Sequence, residues 1–264
     1  MILKGYFQSD SYDTPGNQKL NFFEKLRLNN RIYFTLKYAY IVLKTRRQAR
    51  KGIYDDEAWA DSSYYIFKTI EKTGGIFHIR GMENIIAQDD PVIFIGNHMS
   101  TLETMILPGL IAPLRRVTFV VKESLVRHPL FGDVMRSRDP IVVGRTDPRK
   151  DLEAVMEGGM RLLSKGVSLI IFPQSTRSKH FKAEEFNSLG VKLARKAGVR
   201  VVPLALKTDF WGNGKLIKEL GPVNRYNPIH FRFGEPFQVS GSGRDDNGKI
   251  INFIKAALDE WGAN

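Results

Sequence analysis

Pro91-Val92-Ile93-Phe94-Ile95-Gly96-Asn97-His98-Met99-Ser100-Thr101-Leu102-Glu103 is the stretch on which the reading of this chain turns. The apolar run at 91–95 has the composition of a buried strand, and residues 102–111 read as the helix after it. A histidine therefore stands where a strand gives way to a helix, with a carboxylate five residues on. Such a pair can supply a base and the group that orients it. Ser100 or Thr101 can cap the new helix. Glu103 then falls in its first turn, where a negative charge suits the helix dipole. Taken alone, the stretch is read equally well as an ordinary loop histidine beside a carboxylate that serves only the helix.

Outward from this point the chain alternates. Short runs rich in β-branched and aromatic residues lie at 76–80, 92–95, 117–121, 141–143, 168–172, 200–206 and 230–233, and each predicts a strand. Helices are predicted at 102–111, 149–165, 184–197 and 246–261. Asp147-Pro148 marks one start, while Lys165-Gly166 and Lys196-Ala197-Gly198 mark two stops. This order predicts an α/β fold: a mixed, largely parallel central sheet flanked by helices. Ligands in such sheets bind beyond the carboxyl ends of the strands, where His98 and the segment after Phe172 both fall. Two further helices, at 20–51 and 56–73, precede the alternation, and residues 1–20 read as irregular. The chain is accordingly divided into an amino-terminal helical, basic segment at 1–73 and an α/β domain at 74–264.

The formal net charge is +12 over 264 residues, which implies an anionic partner. Residues 1–51 carry eleven Lys or Arg against Asp10, Asp13 and Glu24, a net of +8. Neither zinc-finger spacing nor a helix-turn-helix accompanies this charge, so nucleic acid is not the expected partner. No apolar stretch reaches the roughly 20 residues of a membrane-spanning helix. The longest, 32–43, is interrupted by Thr35 and Lys37 and flanked by Arg31, Lys44, Arg46, Arg47, Arg50 and Lys51. That composition fits a helix lying in a membrane interface, with Tyr33, Tyr38 and Tyr40 at headgroup depth. The expectation is an amino-terminal membrane-association segment on the cytoplasmic face of a membrane. No secretory leader is evident at the amino terminus. The chain has no cysteine, which excludes thiolate catalysis and disulfides. Its five histidines show no metal-ligand spacing, so no metal site is expected.

Three more blocks lie at predicted strand ends. Phe172-Pro173-Gln174-Ser175-Thr176-Arg177 is a polar cluster ending in an arginine, suited to an anion pocket or to a plain surface turn. In Val143-Gly144-Arg145 the glycine permits close approach of a ligand, and the arginine can bind an anion or pair locally with Asp147. Val201-Val202-Pro203-Leu204 reads as an edge or bulged strand, because proline cannot donate to a ladder.

Together, and in this order over roughly residues 75–235, the four blocks resemble those of the glycerolipid acyltransferases, the family of 1-acylglycerol-3-phosphate acyltransferase. Lys122, Leu125, Pro129 and Gly132 resemble its connecting region. The resemblance implies transfer of a fatty acyl group from an acyl thioester, acyl-CoA or acyl carrier protein, to the hydroxyl of a lysophospholipid-like membrane acceptor. No other cofactor is implied. It assigns His98 and Glu103 to catalysis. It assigns Lys122, Gly144, Arg145, Gln174, Ser175, Thr176 and Arg177 to substrate binding. Three positions depart from the family pattern. Glu103 replaces the usual Asp, Gln174 the usual Glu, and Ser175 the usual Gly. The last two leave the acceptor open, including a lipid other than a glycerophosphate. They also leave open a non-catalytic lipid-binding module on the same fold.

Overall fold

Strands β3 (Ile93–Gly96) and β6 (Ser168–Ile171) are buried at every position, which is why their sequences read as unbroken apolar runs. The computed structural model describes residues 6–7, 9–20, 22, 32–87, 89–174, 176–214 and 221–263. Within them the remaining strands are β1 (Tyr12–Asp13), β2 (Phe77–Arg80), β4 (Val117–Lys122), β5 (Ile141–Val143), β7 (Arg200–Lys207), β8 (Ile229–Phe233) and β9 (Phe237–Gln238). They form one sheet in the order β1-β2-β8-β7-β3-β6-β4-β5, with β9 paired to β7. The five strands β7, β3, β6, β4 and β5 are mutually parallel. β8 runs antiparallel to β7, and β2 is parallel to β8. The sheet is thus mixed and largely parallel.

Helices cover both faces. Phe94, Ile170, Val202, Leu204 and Leu206 share one apolar cluster with α1 (Ile32–Arg50), α2 (Asp56–Lys72) and α3 (Leu102–Ile111). Ile93, Ile95, Leu169, Ile171 and Val201 share another with α6 (Pro148–Leu163), α7 (Leu189–Ala197) and α8 (Arg244–Glu260). The short helices α4 (Glu123–Val126) and α5 (Gly132–Arg136) connect β4 to β5. Capping follows the sequence reading. Asp147 Oδ1 accepts from the amides of Arg149 and Lys150 at 3.0 and 3.3 Å, with Pro148 opening α6. α7 ends on Gly198 at φ 69°, a left-handed turn that favours glycine.

Several expectations are corrected. Residues 1–20 are not wholly irregular: Tyr12 and Asp13 add a strand to the sheet edge, anchored by Tyr12 Oη donating to the buried Glu71 at 2.6 Å. The helix expected from residue 184 begins at Leu189, after a single 3-10 turn at Ala183–Glu185. β7 is neither an edge nor a bulged strand but lies inside the sheet. It tolerates Pro203 because of where that residue falls. Leu206 donates its amide toward the β3 side, so by strand alternation the Pro203 nitrogen points the other way. There it faces the gap between the β9 pairing at 200–201 and the β8 pairing at 204–207. The Pro203 carbonyl on that side still accepts from Gly234 at 2.8 Å.

The predicted helix at 20–51 is described only in part, since 21 and 23–31 lie outside the described residues. Within α1, Phe34, Tyr38, Ile41, Val42 and Thr45 are buried. Tyr38 meets Trp211 edge-on at 4.9 Å, so it belongs to the core and not to an interfacial belt. The helical repeat places 34, 38, 41 and 45 on one face. The opposite face exposes Ile32, Leu36, Tyr40 and Leu43, and Ile53 beyond the helix is exposed as well. Among the described residues no helix is long and apolar enough to cross a membrane.

Candidate active site

The chain leaves β3 for α3 on one face of the sheet and leaves β6 for α7 on the other. β3 and β6 are neighbours, so the switch point at which such sheets bind ligands lies between their carboxyl ends. The His98 loop and the start of the segment after β6 meet there, with Phe172 and Gln174 against His98.

His98 is held from four directions. Its Nδ1 lies 2.9 Å from Glu103 Oε1. Its ring stacks on Phe172 at 4.5 Å between centroids and 5° between planes. Its amide donates to Gln174 Oε1 at 2.7 Å, and its carbonyl accepts from the Ser178 amide at 3.0 Å. The imidazole side chain retains 15% exposure. Because Nδ1 faces Glu103, Nε2 is the nitrogen left to meet a substrate.

Glu103 is fully buried. Its Oε1 also accepts from the amides of Met99 and Ser100, at 2.6 and 2.8 Å. Its Oε2 accepts from the Thr208 hydroxyl at 2.5 Å and lies 3.0 Å from the Ser100 hydroxyl. Burial on its own raises the carboxyl. The hydrogen bond and charge of His98 outweigh it, helped by Thr208 and the Ser100 amide, and hold the group below the ordinary carboxylate value. Of the two candidate caps, Thr101 makes no side-chain cap bond, so the role falls to Ser100. Glu103 reaches back to the amides before the helix, and Ser100 Oγ accepts from the Leu102 amide at 3.0 Å. α3 is itself fixed to α2, since Ser63 Oγ donates to the Met105 carbonyl at 2.5 Å and accepts from the Gly109 amide at 2.8 Å.

The other expected site residues are distributed along the same sheet edge. Arg177 is beside the pair, its guanidinium donating to Thr101 Oγ1. Thr176 is exposed. Gln174 is 1% exposed, and its side-chain oxygen braces the His98 loop. Ser175 lies outside the described residues. Lys122 ends β4 in register with Val143 and is exposed. Gly144 and Arg145 follow β5, three strand spacings from β3, or about 14 Å across the sheet. Arg145 adopts a left-handed φ of 60°, and Asp151 Oδ2 accepts its amide at 2.9 Å while Oδ1 accepts that of Gly144 at 2.9 Å. Its local partner is thus Asp151, because Asp147 is engaged in capping α6. Arg177, and not Arg145, stands next to His98.

Sequence reasoning missed two members of the site. Asn97 donates through Nδ2 to the Leu206 carbonyl at 2.8 Å and accepts the Leu206 amide through Oδ1 at 2.9 Å. It thereby extends the β3–β7 pairing by one step past Gly96. Gly96 itself is needed there, since a Cβ would sit 2.7 Å from the Leu204 carbonyl oxygen. Thr208, one residue past β7, is fully buried against Glu103. The only sequence signal for Thr208 was its place after a predicted strand end. His78 and His230 lie elsewhere, in β2 and β8. His78 stacks on His230 at 4.8 Å, and burial beneath basic neighbours pushes His230 down to about 4. Among the described residues no cluster of His, Asp and Glu could hold a metal ion.

Fold and site together define an α/β protein with a histidine–carboxylate pair at the switch point of a largely parallel sheet and basic side chains along the same edge. The family model described as Acyltransferase matches residues 76–207, half of the chain. The chain belongs to this family, within the glycerolipid acyltransferases. It is 33% identical over 161 residues to the 1-acyl-sn-glycerol-3-phosphate acyltransferase of Pseudomonas aeruginosa, covering 61% of each chain. It is 32% identical over 159 residues to a chloroplastic 1-acyl-sn-glycerol-3-phosphate acyltransferase of Arabidopsis thaliana, covering 60% of this chain and 40% of that one. The matches thus span less than two thirds of either relative. The crystal structure of the 1-acyl-sn-glycerophosphate acyltransferase PlsC from Thermotoga maritima has the same fold, with a TM-score of 0.63 at 23% identity. That match covers 91% of this chain and 98% of the other.

Proposed function

We propose that this chain is an O-acyltransferase that moves a fatty acyl group from an acyl-CoA or acyl carrier protein thioester to the hydroxyl of a lysophospholipid-like acceptor such as 1-acylglycerol-3-phosphate. One observation carries the reading: a fully buried carboxylate 2.9 Å from Nδ1 of a histidine whose ring stays 15% exposed, which leaves Nε2 as the nitrogen to meet a substrate. As the acceptor oxygen attacks the thioester carbonyl, its proton passes to His98 Nε2. The carbon–sulfur bond breaks, and the leaving thiolate takes the proton back from the imidazolium. Glu103 stabilises the imidazolium between these steps. Phe172 keeps the ring from turning, and Arg177 holds the anionic headgroup so that the hydroxyl lies against Nε2. Gly144, Arg145, Lys122 and Thr176 are assigned to the outer part of the same substrate path, and Ser175, outside the described residues, to substrate binding.

The purified full chain, given a labelled acyl thioester and 1-acylglycerol-3-phosphate in anionic vesicles, is expected to form the diacyl product. Arg177→Ala should raise the acceptor's KM by about tenfold, the size of one charge-assisted contact, with the thioester's KM unchanged. A rise confined to the thioester would place the headgroup elsewhere.

Residues 1–73 are proposed as the membrane-docking segment of a peripheral protein on the cytoplasmic face, and 74–264 as the catalytic part. The exposed row Ile32, Leu36, Tyr40 and Leu43 lies beside Lys44, Arg47 and Lys51, an apolar stripe with a cationic end that suits an anionic bilayer. Leu36→Asp combined with Leu43→Asp should cut sedimentation with phosphatidylglycerol vesicles at least tenfold, with the Tm little changed. Undiminished co-sedimentation would rule out this face.

A further inference from the structure

Glu103 receives donors from two places in the fold. The amides of Met99 and Ser100 and the ring of His98 belong to its own loop. The Thr208 hydroxyl arrives from the end of β7 and, among the described residues, is the donor contributed by another strand. The loop amides and His98 take Oε1. Oε2 accepts the Thr208 hydroxyl at 2.5 Å, with the Ser100 hydroxyl farther off at 3.0 Å, its single proton contested by the Thr208 carbonyl and hydroxyl at the same distance.

Thr208 is built into this place by every polar atom it has. Its amide donates to Met99 Sδ at 3.2 Å, its carbonyl oxygen lies 3.0 Å from Ser100 Oγ, and its hydroxyl meets Glu103. It is fully buried, so water is not at hand to replace the bond. Asn97 clamps the loop to Leu206 only two residues earlier on β7, which fixes the register between Thr208 and Glu103.

A carboxylate anchored at one oxygen alone is free to swing about its terminal torsion, which is broad and roughly two-fold. Anchoring Oε2 removes that freedom and presents Oε1 to Nδ1. It also draws part of the negative charge away from His98. We propose that Thr208 is a positioning residue for acyl transfer: its hydroxyl fixes the second oxygen of Glu103, so that the first orients His98 with Nε2 toward substrate. This inference rests on the proposed acyl transfer for its kinetic consequence but not for its structural one.

The test uses the purified full chain as wild type, Thr208→Val, which keeps the shape and loses the hydroxyl, and Thr208→Ser, which keeps the hydroxyl. The first readout is kinetic. Thr208→Val should lose at least tenfold in kcat with both KM values within twofold of wild type. The acidic limb of its kcat/KM profile should move to higher pH, because Glu103 with one donor fewer favours the imidazolium more strongly. Thr208→Ser should restore kcat to within threefold and the limb to its original position. The second readout needs no turnover. The low-field NMR proton of the His98–Glu103 hydrogen bond, identified by its absence in His98→Ala, should shift or broaden in Thr208→Val and return in Thr208→Ser.

An active wild type with an unmoved proton, unmoved pH limb and full kcat in Thr208→Val overturns the proposal. So does a loss of kcat that serine does not rescue, because that marks a packing role. A wild type without acyl transfer, but whose proton still responds to Thr208→Val and Thr208→Ser, upholds the positioning role and overturns the proposed reaction. Should Thr208→Val fail to fold, Thr208→Cys, similar in size and a far weaker donor, replaces it under the same criteria.

Discussion

His98→Ala is expected to lower kcat for acyl transfer by about 10²–10⁴-fold, the range of positioned general-base catalysis. The acceptor and thioester KM values should change little. Arg177 donates to Thr101 Oγ1, which the substitution leaves in place, so the proposed headgroup contact is expected to survive it. The far-UV circular dichroism should remain native, since Gln174 and Ser178 hold the backbone of residue 98 through its amide and carbonyl. A modest fall in Tm accompanies the change, because alanine removes the ring stacked on Phe172 and the hydrogen-bond partner of the buried Glu103. Turnover near that of wild type would exclude His98 as the base.

Glu103→Gln should have an effect of similar size on rate and a larger one on stability. The loss of kcat is expected to reach about 10³–10⁴-fold, as when the carboxylate of a histidine–carboxylate pair elsewhere is replaced by its amide. Glutamine offers one carbonyl oxygen where the fold supplies donors to two. If that oxygen serves the Met99 and Ser100 amides, the new amide group faces the Thr208 hydroxyl, which must turn round. Leaving buried donors poorly matched costs about 1–3 kcal/mol.

The stability difference should depend on pH in a definite sense. Glu103 is depressed in the folded protein below its ordinary value of 4.5. Its charge therefore stabilises the fold fully above that ordinary value, and the contribution fades as pH falls through the folded value. The Tm gap between wild type and Glu103→Gln is expected to be widest above about pH 5 and to narrow toward pH 3. A gap of constant width across a thermal melt series from pH 7 to pH 3 would show that shape, and not charge, underlies the effect.

The buried strands were legible because burial on both faces leaves a run of apolar residues that no other element of that length requires. The caps were legible because Asp147-Pro148 and Gly198 act on their own neighbours in the chain. The short pieces were not. Tyr12–Asp13 becomes a strand only by pairing with His78 and Ile79, a contact made across more than sixty residues. The apolar face of α1 had the same ambiguity. Composition marked an interfacial helix, but only packing against Trp211 shows that Tyr38 belongs inside while Tyr40 stays out.

That His98 and Glu103 can pair was legible in the sequence, because a histidine at a strand end and a carboxylate in the next helical turn lie within reach by local geometry. Only the three further strand-end blocks favoured that reading over an ordinary loop histidine. What surrounds them was decided by the tertiary structure. Gln174 reaches the His98 amide from 76 residues away, and Thr208 reaches Glu103 from 105. Those partners depend on β3 lying between β6 and β7, and strand order is set by how helices pack on the two faces of the sheet. A linear pattern records the hydrophobicity of each strand but not which strand lies beside it. The histidine and its carboxylate were therefore visible in the chain, whereas the buried hydroxyl and amide that hold them in place appeared only when distant strands were brought together.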